Sequence, residues 1–141
     1  MPPYAGGHKP KQMKKELVNT FSLATLAGIM IGFGGVIYLM CANKMVGALL
    51  FSFGLLTIVC QGFALYTGRI GYFRQYGLMS ILVTIAGNFL GTWAVAKGFA
   101  LTRHTVDIAS VVAPKLQDSS LSVLLLSVGC GAMMYLAVDS Y

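Results

Sequence analysis

Four long stretches without a charged side chain constrain the fold of this chain more than any other feature. They hold 22, 24, 22 and 20 residues, at positions 21–42, 45–68, 75–96 and 119–138. A helix rises about 1.5 Å per residue, so roughly 20 apolar residues cross the roughly 30 Å of hydrocarbon in a bilayer. The sequence therefore predicts an all-α, polytopic membrane helix bundle with four spans, at about residues 21–42, 45–67, 75–97 and 119–138.

The composition excludes a soluble enzyme. Only 10% of the residues are charged, whereas a soluble domain carries about 25%. The apolar stretches hold no paired carboxylates and no Ser/His/Asp or Cys/His group of the kind used in catalysis. Cys41, Cys60 and Cys130 lie in or beside these stretches without a Cys-x-x-Cys pair. We therefore expect packed free thiols, with neither a metal site nor a cofactor.

The distribution of positive charge indicates how the chain sits in a membrane. The net charge is +6, and the basic residues lie at the ends of the apolar stretches rather than in one patch. We therefore expect a lipid bilayer as partner and no nucleic acid. With the N-terminus in the cytoplasm, six basic residues, Arg69 and Arg74 among them, lie inside and four outside. The positive-inside rule thus predicts a multi-pass protein of the cell (inner or plasma) membrane with a cytoplasmic N-terminus.

The polar ends of the chain differ from the membrane domain, which we place at residues 19–141. Residues 1–18 are predicted to form a cytoplasmic leader followed by a short amphipathic helix at the membrane interface, because Met13 and Leu17 recur at helical spacing among lysines. The connector at residues 97–118 is predicted to rest on the outer interface. We expect Pro114 to stop any helix that runs into it.

The second apolar stretch contains an interruption. Gln61 is a polar residue next to the helix-weakening Gly62, and Thr67-Gly68 follows shortly after. Polar side chains and irregular backbone are tolerated at membrane depth only when they are buried in protein or line a wet cavity. Two interpretations follow: a break that lines a pore, or a plain helix that ends in a short basic turn.

A short internal similarity links the first and fourth stretches. Residues 32–40 and 129–137 share four identities in nine positions. Because the first and fourth spans run in opposite directions, a true repeat would be inverted, as in many transporters. Apolar segments of low complexity also match by chance, so both explanations remain open. The paired residues are Gly32 with Gly129, Gly34 with Gly131, Tyr38 with Tyr135, and Leu39 with Leu136.

Several motifs resemble those of the formate/nitrite transporter family, which are pentameric channels for small monovalent anions and include hydrosulfide channels. They are Leu26-Ala-Gly-Ile-Met-Ile-Gly32, Val46-Gly-Ala-Leu-Leu-Phe-Ser-Phe-Gly-Leu55, Gly62-Phe-Ala-Leu-Tyr-Thr-Gly68 and Gly87-Asn-Phe-Leu-Gly91. The resemblance implies an aquaporin-like inverted-repeat architecture, of which this sequence carries the first four of six helices, with the second interrupted. It also implies a homo-oligomer of five copies.

The resemblance assigns site residues by their positions in these motifs. Phe51 and Leu55 correspond to apolar residues of the outer constriction. Leu65, Tyr66 and Thr67 correspond to the loop of the inner constriction, with Tyr66 in place of the usual Phe. Three further residues correspond to a lysine ahead of the fourth helix and to positions on the pore wall: Lys115, Gly131 and Met134.

The function implied by the resemblance is passage of small monovalent anions, or of their weak acids, through an apolar pore. Formate, nitrite and hydrosulfide are the expected substrates. A complete pore would then need two further helices, the fifth carrying a pore histidine, which a second chain could supply. The alternative is a small four-helix structural or assembly subunit without a pore of its own.

Overall fold

The computed structural model describes residues 10–103 and 108–140. Every regular element among these residues is helical, which confirms the all-α fold. The leader at residues 1–9 and the connector residues 104–107 lie outside the described part of the chain. The helices are α1 (Pro10–Met40), α2 (Lys44–Cys60), α3 (Tyr66–Arg69), a 3₁₀ turn (Ile70–Tyr72), α4 (Phe73–Ala100), α5 (Ile108–Leu116) and α6 (Ser120–Asp139).

Helix α1 is longer than the first apolar stretch. Its 31 residues include the segment expected to form a separate interfacial helix, so that segment is instead the first part of the spanning helix. The physical reason lies in the sequence, because residues 11–27 contain neither Pro nor Gly and nothing ends the helix there. Met13 lies in this extension and is exposed.

The second apolar stretch breaks after α2, at the interruption that the sequence left open to two interpretations. Gly62 adopts a left-handed φ of 64°. The Gly62 amide donates to the Val59 carbonyl and the Phe63 amide donates to the Ile58 carbonyl, each at 3.0 Å. This pair of bonds is a Schellman motif, which ends a helix at a glycine. Helix α2 is therefore 17 residues long, and residues 61–65 are not helical.

A second interruption lies at the start of α4. Gly77 has φ 72° and ψ 156°, which lie outside the helical region. The long continuous part of α4 thus runs from Leu78 to Ala100, a few residues later than the predicted third span. Between the two glycines, α3 and the 3₁₀ turn form a short irregular segment that connects α2 to α4.

Glycine contacts give the directions of the helices. Gly87 of α4 lies against Ala24 of α1, and Gly32 of α1 lies against Val95, so α1 and α4 run parallel. Gly47 and Gly54 of α2 lie against progressively earlier residues of α1, so α2 runs antiparallel to it. The break after α2 and the start of α4 therefore lie on the side of the bundle where α1 begins.

Helix α5 differs from the expectation for the connector. Pro114 lies inside it, and the helix continues to Leu116. A proline removes one amide donor and crowds the preceding turn, but the Gln117 amide still donates to the Ala113 carbonyl at 3.3 Å. The expectation that Pro114 stops the helix is therefore wrong by two residues. Helix α6 begins after Ser119, whose Oγ accepts from the Ser122 amide at 3.2 Å.

The described core is built mainly from small residues together with Ile58 and Ile81, whereas most large apolar side chains face outward. Ala24, Ala27 and Ala64 are fully buried, while Phe53 and Phe89 are 64% and 69% exposed. Water would strongly disfavour such a surface, but lipid matches it, and close packing of small residues is typical of membrane helices. Three helical segments among the described residues are long and apolar enough to span a bilayer, and α2 is a shorter apolar helix.

The close packing of α1 and α4 leads to a stability prediction. A Cβ at Gly91 would overlap the Thr25 carbonyl oxygen and lie 2.7 Å from the Ile29 amide nitrogen. We expect Gly91→Ala to lower the free energy of unfolding by about 1–3 kcal/mol, because rigid backbone must move apart. Thermal melting in detergent micelles measures this change.

Gly98 in the same helix provides the matched control. A Cβ at Gly98 meets no atom within 4 Å. Gly98→Ala should therefore leave the melting temperature unchanged or slightly raised, since alanine favours the helix. Equal losses for the two variants would contradict the packing described here.

Candidate functional site

Asn88 of α4 holds the broken segment in place. Its Nδ2 donates to the carbonyls of Ala24 in α1 and Ala64 in the break, both at 2.8 Å. Its Oδ1 accepts from the Tyr66 amide at 2.9 Å. Because Leu65 provides no side-chain cap, the first amide of α3 is capped from a different helix. One side chain thus joins α1, the break and α4.

Asn88 reaches α1 because a glycine lies opposite it. A Cβ at Gly28 would overlap the backbone carbonyl oxygen of Asn88, so the two helices approach at the distance of bare backbone. Asn88 and Gly28 therefore act together, since the hydrogen bond to Ala24 requires this close approach. The Gly87-Asn88 motif places the packing residue and the polar residue side by side on α4.

Thr67 carries an unusual buried hydroxyl. Its Oγ1 is buried and has no hydrogen-bond partner among the described residues. Native structures pair nearly all buried polar atoms, so an unpaired one calls for a functional or structural reason. Of its neighbours, the Tyr66 side chain is exposed, and Leu65 lines the cavity described next, whose lining does not include Thr67.

This cavity lies between the end of α2, the break and the start of α4. It has a volume of about 470 Å³. Gly62, Leu65 and Gly68 bring the backbone of the break to its wall, which Arg69 and Tyr76 continue. The cavity is thus bordered by irregular backbone, which membrane proteins expose only toward protein or water.

Arg69 is positioned by two contacts with α4. Its Nη1 donates to Thr84 Oγ1 at 3.5 Å, and its Cζ lies 4.8 Å from the centre of the Tyr76 ring. Thr84 is fully buried and donates in turn to the Ser80 carbonyl at 2.8 Å. The guanidinium is therefore held at the cavity wall by a hydroxyl on one side and an aromatic face on the other.

The end of α6 joins the same region. The Tyr72 hydroxyl donates to Asp139 Oδ1, and the Tyr72 and Tyr135 rings pack with their centres 5.6 Å apart. Gly71 lies against the Tyr135 ring, where a Cβ would meet Cε2 at 2.6 Å. Helix α6 also contacts α3. The fourth apolar stretch thus reaches the break through the turns of its C-terminal end.

The remaining predicted site residues lie away from this cavity. Phe51 and Leu55 lie one turn apart on α2, both half-buried, and the Phe51 ring packs where Gly34 leaves room on α1. On α6, Met134 is half-buried and Gly131 is exposed. Lys115 is exposed near the end of α5. The structure thus brings Leu65, Tyr66 and Thr67 together at the break and leaves the other five around it.

Sequence reasoning gave no site role to Asn88 or Arg69. The Gly-Asn motif was visible in the sequence. The carbonyls to which the Asn88 amide donates lie 24 and 64 positions away, so the motif alone does not reveal them. Arg69 was counted among charges at a cytoplasmic loop, although it lies in the first turn of a segment that continues into an apolar helix. A charged residue beside an interrupted span was the available signal, since such residues face cavities rather than lipid.

Comparison with known proteins decides the family. The family model described as formate/nitrite transporter matches residues 5–139. The chain belongs to the formate/nitrite transporter family. No curated protein and no solved structure matches this chain. Members of the formate/nitrite transporter family move small anions across membranes and are not enzymes. The broken helix and its cavity are therefore the parts of the fold where a transport path is to be sought.

The three hydrogen bonds of Asn88 lead to a prediction. Asn88→Leu has similar volume but removes all three bonds, and it leaves the buried Ala64 carbonyl and the Tyr66 amide of the break without this partner. We expect it to lower the free energy of unfolding by at least about 2 kcal/mol, the cost of stranding buried polar groups. Thermal melting and protease sensitivity at residues 61–66 measure the effect.

Ser22→Ala is the matched control for Asn88→Leu. Ser22 Oγ donates to the Val18 carbonyl of its own helix at 3.2 Å and joins no second element through that bond. We expect its removal to leave the melting temperature within a degree or two, on the order of a surface substitution. If Asn88→Leu melts like Ser22→Ala, Asn88 does not hold the break.

Proposed function

We propose that this chain forms part of a channel that passes small monovalent anions, or their weak acids, across the cell membrane. Formate, nitrite and hydrosulfide are the proposed substrates. The family supports a transporter of small anions. The observation that carries the proposal is the break after α2, where irregular backbone at residues 61–65 borders a cavity of about 470 Å³.

The break suits a narrow passage because it combines apolar side chains with a fixed polar group. Leu65 and Tyr66 supply the apolar walls of the inner constriction. Thr67 supplies a buried hydroxyl without a partner among the described residues, which a passing anion or acid could pair. Asn88 fixes the backbone between them, so the constriction keeps its width.

The chemistry of the substrate lowers the barrier at the apolar rings. Moving an ionised carboxylate or nitrite from water into a low-dielectric constriction has a large unfavourable desolvation free energy. A weak acid avoids most of this cost by crossing in its protonated form, with a proton taken from water or a pore group. We place the outer ring at Phe51 and Leu55, which lie one turn apart on α2.

A cation completes the proposed outer entrance. Lys115 lies near the end of α5, directly before the fourth apolar helix, and its side chain is exposed. An exposed ammonium raises the local concentration of anions, more so at low ionic strength. With the N-terminus in the cytoplasm, as the basic residues favour, the entrance at Lys115 faces outward and the break lies nearer the inner side.

We propose that the working unit is a homo-oligomer of five copies, in keeping with the family resemblance. Helix α6 exposes most of its described side chains, including Leu124, Leu125 and Leu126. Lipid or neighbouring helices would cover such a face. Two further helices, supplied by a second chain, would close the pore wall beside α3 and α6.

Enlarging Thr67 tests the inner constriction. We expect Thr67→Trp to abolish flux of formate and nitrite into proteoliposomes, because the indole fills the passage beside Leu65 and Tyr66. Stopped-flow fluorescence of an internal pH dye measures the flux. Thr102→Trp, the same substitution at an exposed position just after α4, should conduct like the unsubstituted protein. Equal flux through both variants would place the path elsewhere.

Thiol accessibility separates a channel from a structural subunit. After Cys41, Cys60 and Cys130 are replaced, we expect Leu55→Cys and Thr67→Cys to react with a water-soluble thiol reagent, and saturating nitrite to slow the reaction. Leu82→Cys, on an exposed face of α4, should stay unreactive in lipid. Equal protection of all three would indicate faces covered by lipid or a partner, and would favour the assembly role.

A further inference from the structure

We propose that the cavity beside the break is an anion-binding vestibule in which the Arg69 guanidinium binds planar anions with two oxygen atoms, such as formate and nitrite. The inference rests on the proposed function, since it names the anions that the path selects. It also makes a claim about equilibrium binding, which can be measured without transport. None of the predicted site residues supplies a charge to this cavity; Arg69 does.

The first argument is the position of the charge. Arg69 is half-buried and lies in the first turn of the 35-residue segment Tyr66–Ala100, which is apolar enough to span a membrane. Ionisable side chains in such segments face the bundle interior or a water-filled cavity, because lipid excludes them. Arg69 lines the cavity of about 470 Å³. One water molecule occupies about 30 Å³ of liquid, so a small anion fits there with several waters.

The second argument is the rigidity of the guanidinium. Thr84 is buried and accepts from Arg69 Nη1, while the Tyr76 ring lies against the guanidinium plane. The Thr84 hydroxyl donates to the Ser80 carbonyl, which orients its lone pair toward Arg69. A preorganised cation loses less conformational entropy on binding and holds an anion in a defined geometry.

The third argument is the chemistry of the remaining wall. Ile58, Phe63 and Leu65 provide apolar surface, which strengthens a charge interaction by lowering the local dielectric constant. Gln75 adds an amide that can donate to an oxygen. Among the described residues that line the cavity there is no Asp or Glu. The cavity therefore favours a negative ligand.

The guanidinium also selects the shape of the anion. Its N–H groups form a planar fork that pairs with two oxygens of one carboxylate, and such bidentate pairs are stronger than single contacts. Formate and nitrite each present two oxygens in one plane. Hydrosulfide presents a single sulfur, so it cannot offer each N–H prong an acceptor atom of its own. The vestibule should thus prefer formate and nitrite to hydrosulfide.

Asp139 opposes this binding from the neighbouring wall. Tyr72 lines the cavity and donates its hydroxyl to the Asp139 carboxylate. The negative charge lies one hydrogen bond behind the cavity surface, so it weakens the field of Arg69. Asn at position 139 would keep an acceptor for Tyr72 while removing the charge. Arg69 therefore raises the affinity of the vestibule for anions, and Asp139 lowers it.

The test measures binding and flux on the same variants. Saturation-transfer NMR of the formate proton, with the full chain in deuterated detergent, reports binding, and proteoliposome flux reports transport. We expect Arg69→Gln to raise the half-saturating concentrations of formate and nitrite about tenfold, the loss of one charge-assisted bidentate pair. Arg74→Gln removes an exposed charge from the same end of the bundle. It should leave the half-saturating concentrations of both formate and nitrite unchanged.

Two further variants keep the test decisive if Arg69→Gln folds poorly. Arg69→Lys keeps the charge but lacks the planar fork of N–H groups. It should therefore raise the half-saturating concentrations of formate and nitrite and leave that of hydrosulfide unchanged. Asp139→Asn should lower the half-saturating concentrations of formate and nitrite. Gel filtration of each variant confirms assembly before it is measured.

The outcomes separate this inference from the proposed function. If the unsubstituted chain conducts and Arg69→Gln matches Arg74→Gln in binding and flux, the vestibule assignment is wrong although transport stands. If formate binds in an Arg69-dependent manner but no variant conducts, the binding site stands and the transport proposal fails. If Arg69→Lys raises the half-saturating concentrations of hydrosulfide and formate by the same factor, the vestibule does not select anions by shape.

Discussion

The structure depends on how a membrane protein pairs backbone groups where its helix is broken. Hydrocarbon offers no hydrogen bonds, so an unpaired amide or carbonyl at this depth is costly. Asn88 meets this need with one side chain, donating to the Ala24 and Ala64 carbonyls and accepting from the Tyr66 amide. The break is therefore a defined structure rather than a frayed helix end, and it forms a rigid wall of the cavity beside it.

The glycines make this arrangement sterically possible. Gly28 and Gly91 let α1 and α4 approach until their backbones touch, which brings Asn88 within reach of α1. Gly62 ends α2 through a left-handed conformation, and Gly77 separates the first turn of α4 from its long part. Small residues thus form most of the described core, and most large apolar side chains face outward, where lipid can cover them. The hydrogen bond from Asn88 to α1 therefore depends on the close glycine packing of α1 against α4.

Local patterns predicted much of the fold and part of the candidate site. The charge-free stretches indicated the long apolar helices, and Gln61-Gly62 indicated the break. The amphipathic segment at residues 11–18 is continuous with α1, because a helix continues wherever nothing ends it. Pro114 was expected to end a helix that in fact continues to Leu116. The roles of Asn88 and Arg69 were missed, since neither residue carries a pattern that reveals its partners.

The sequence by itself determined that this chain is a membrane protein and where its second apolar stretch is interrupted. Both follow from neighbouring residues: stretches without charge, and a polar residue next to a helix-weakening glycine. Only the tertiary structure decided what holds the break and what faces the cavity. The partners of Asn88 lie 22, 24 and 64 positions away, and Arg69 meets Thr84 from 15 positions away. Such contacts depend on helix directions and close approach, which no local pattern of residues contains.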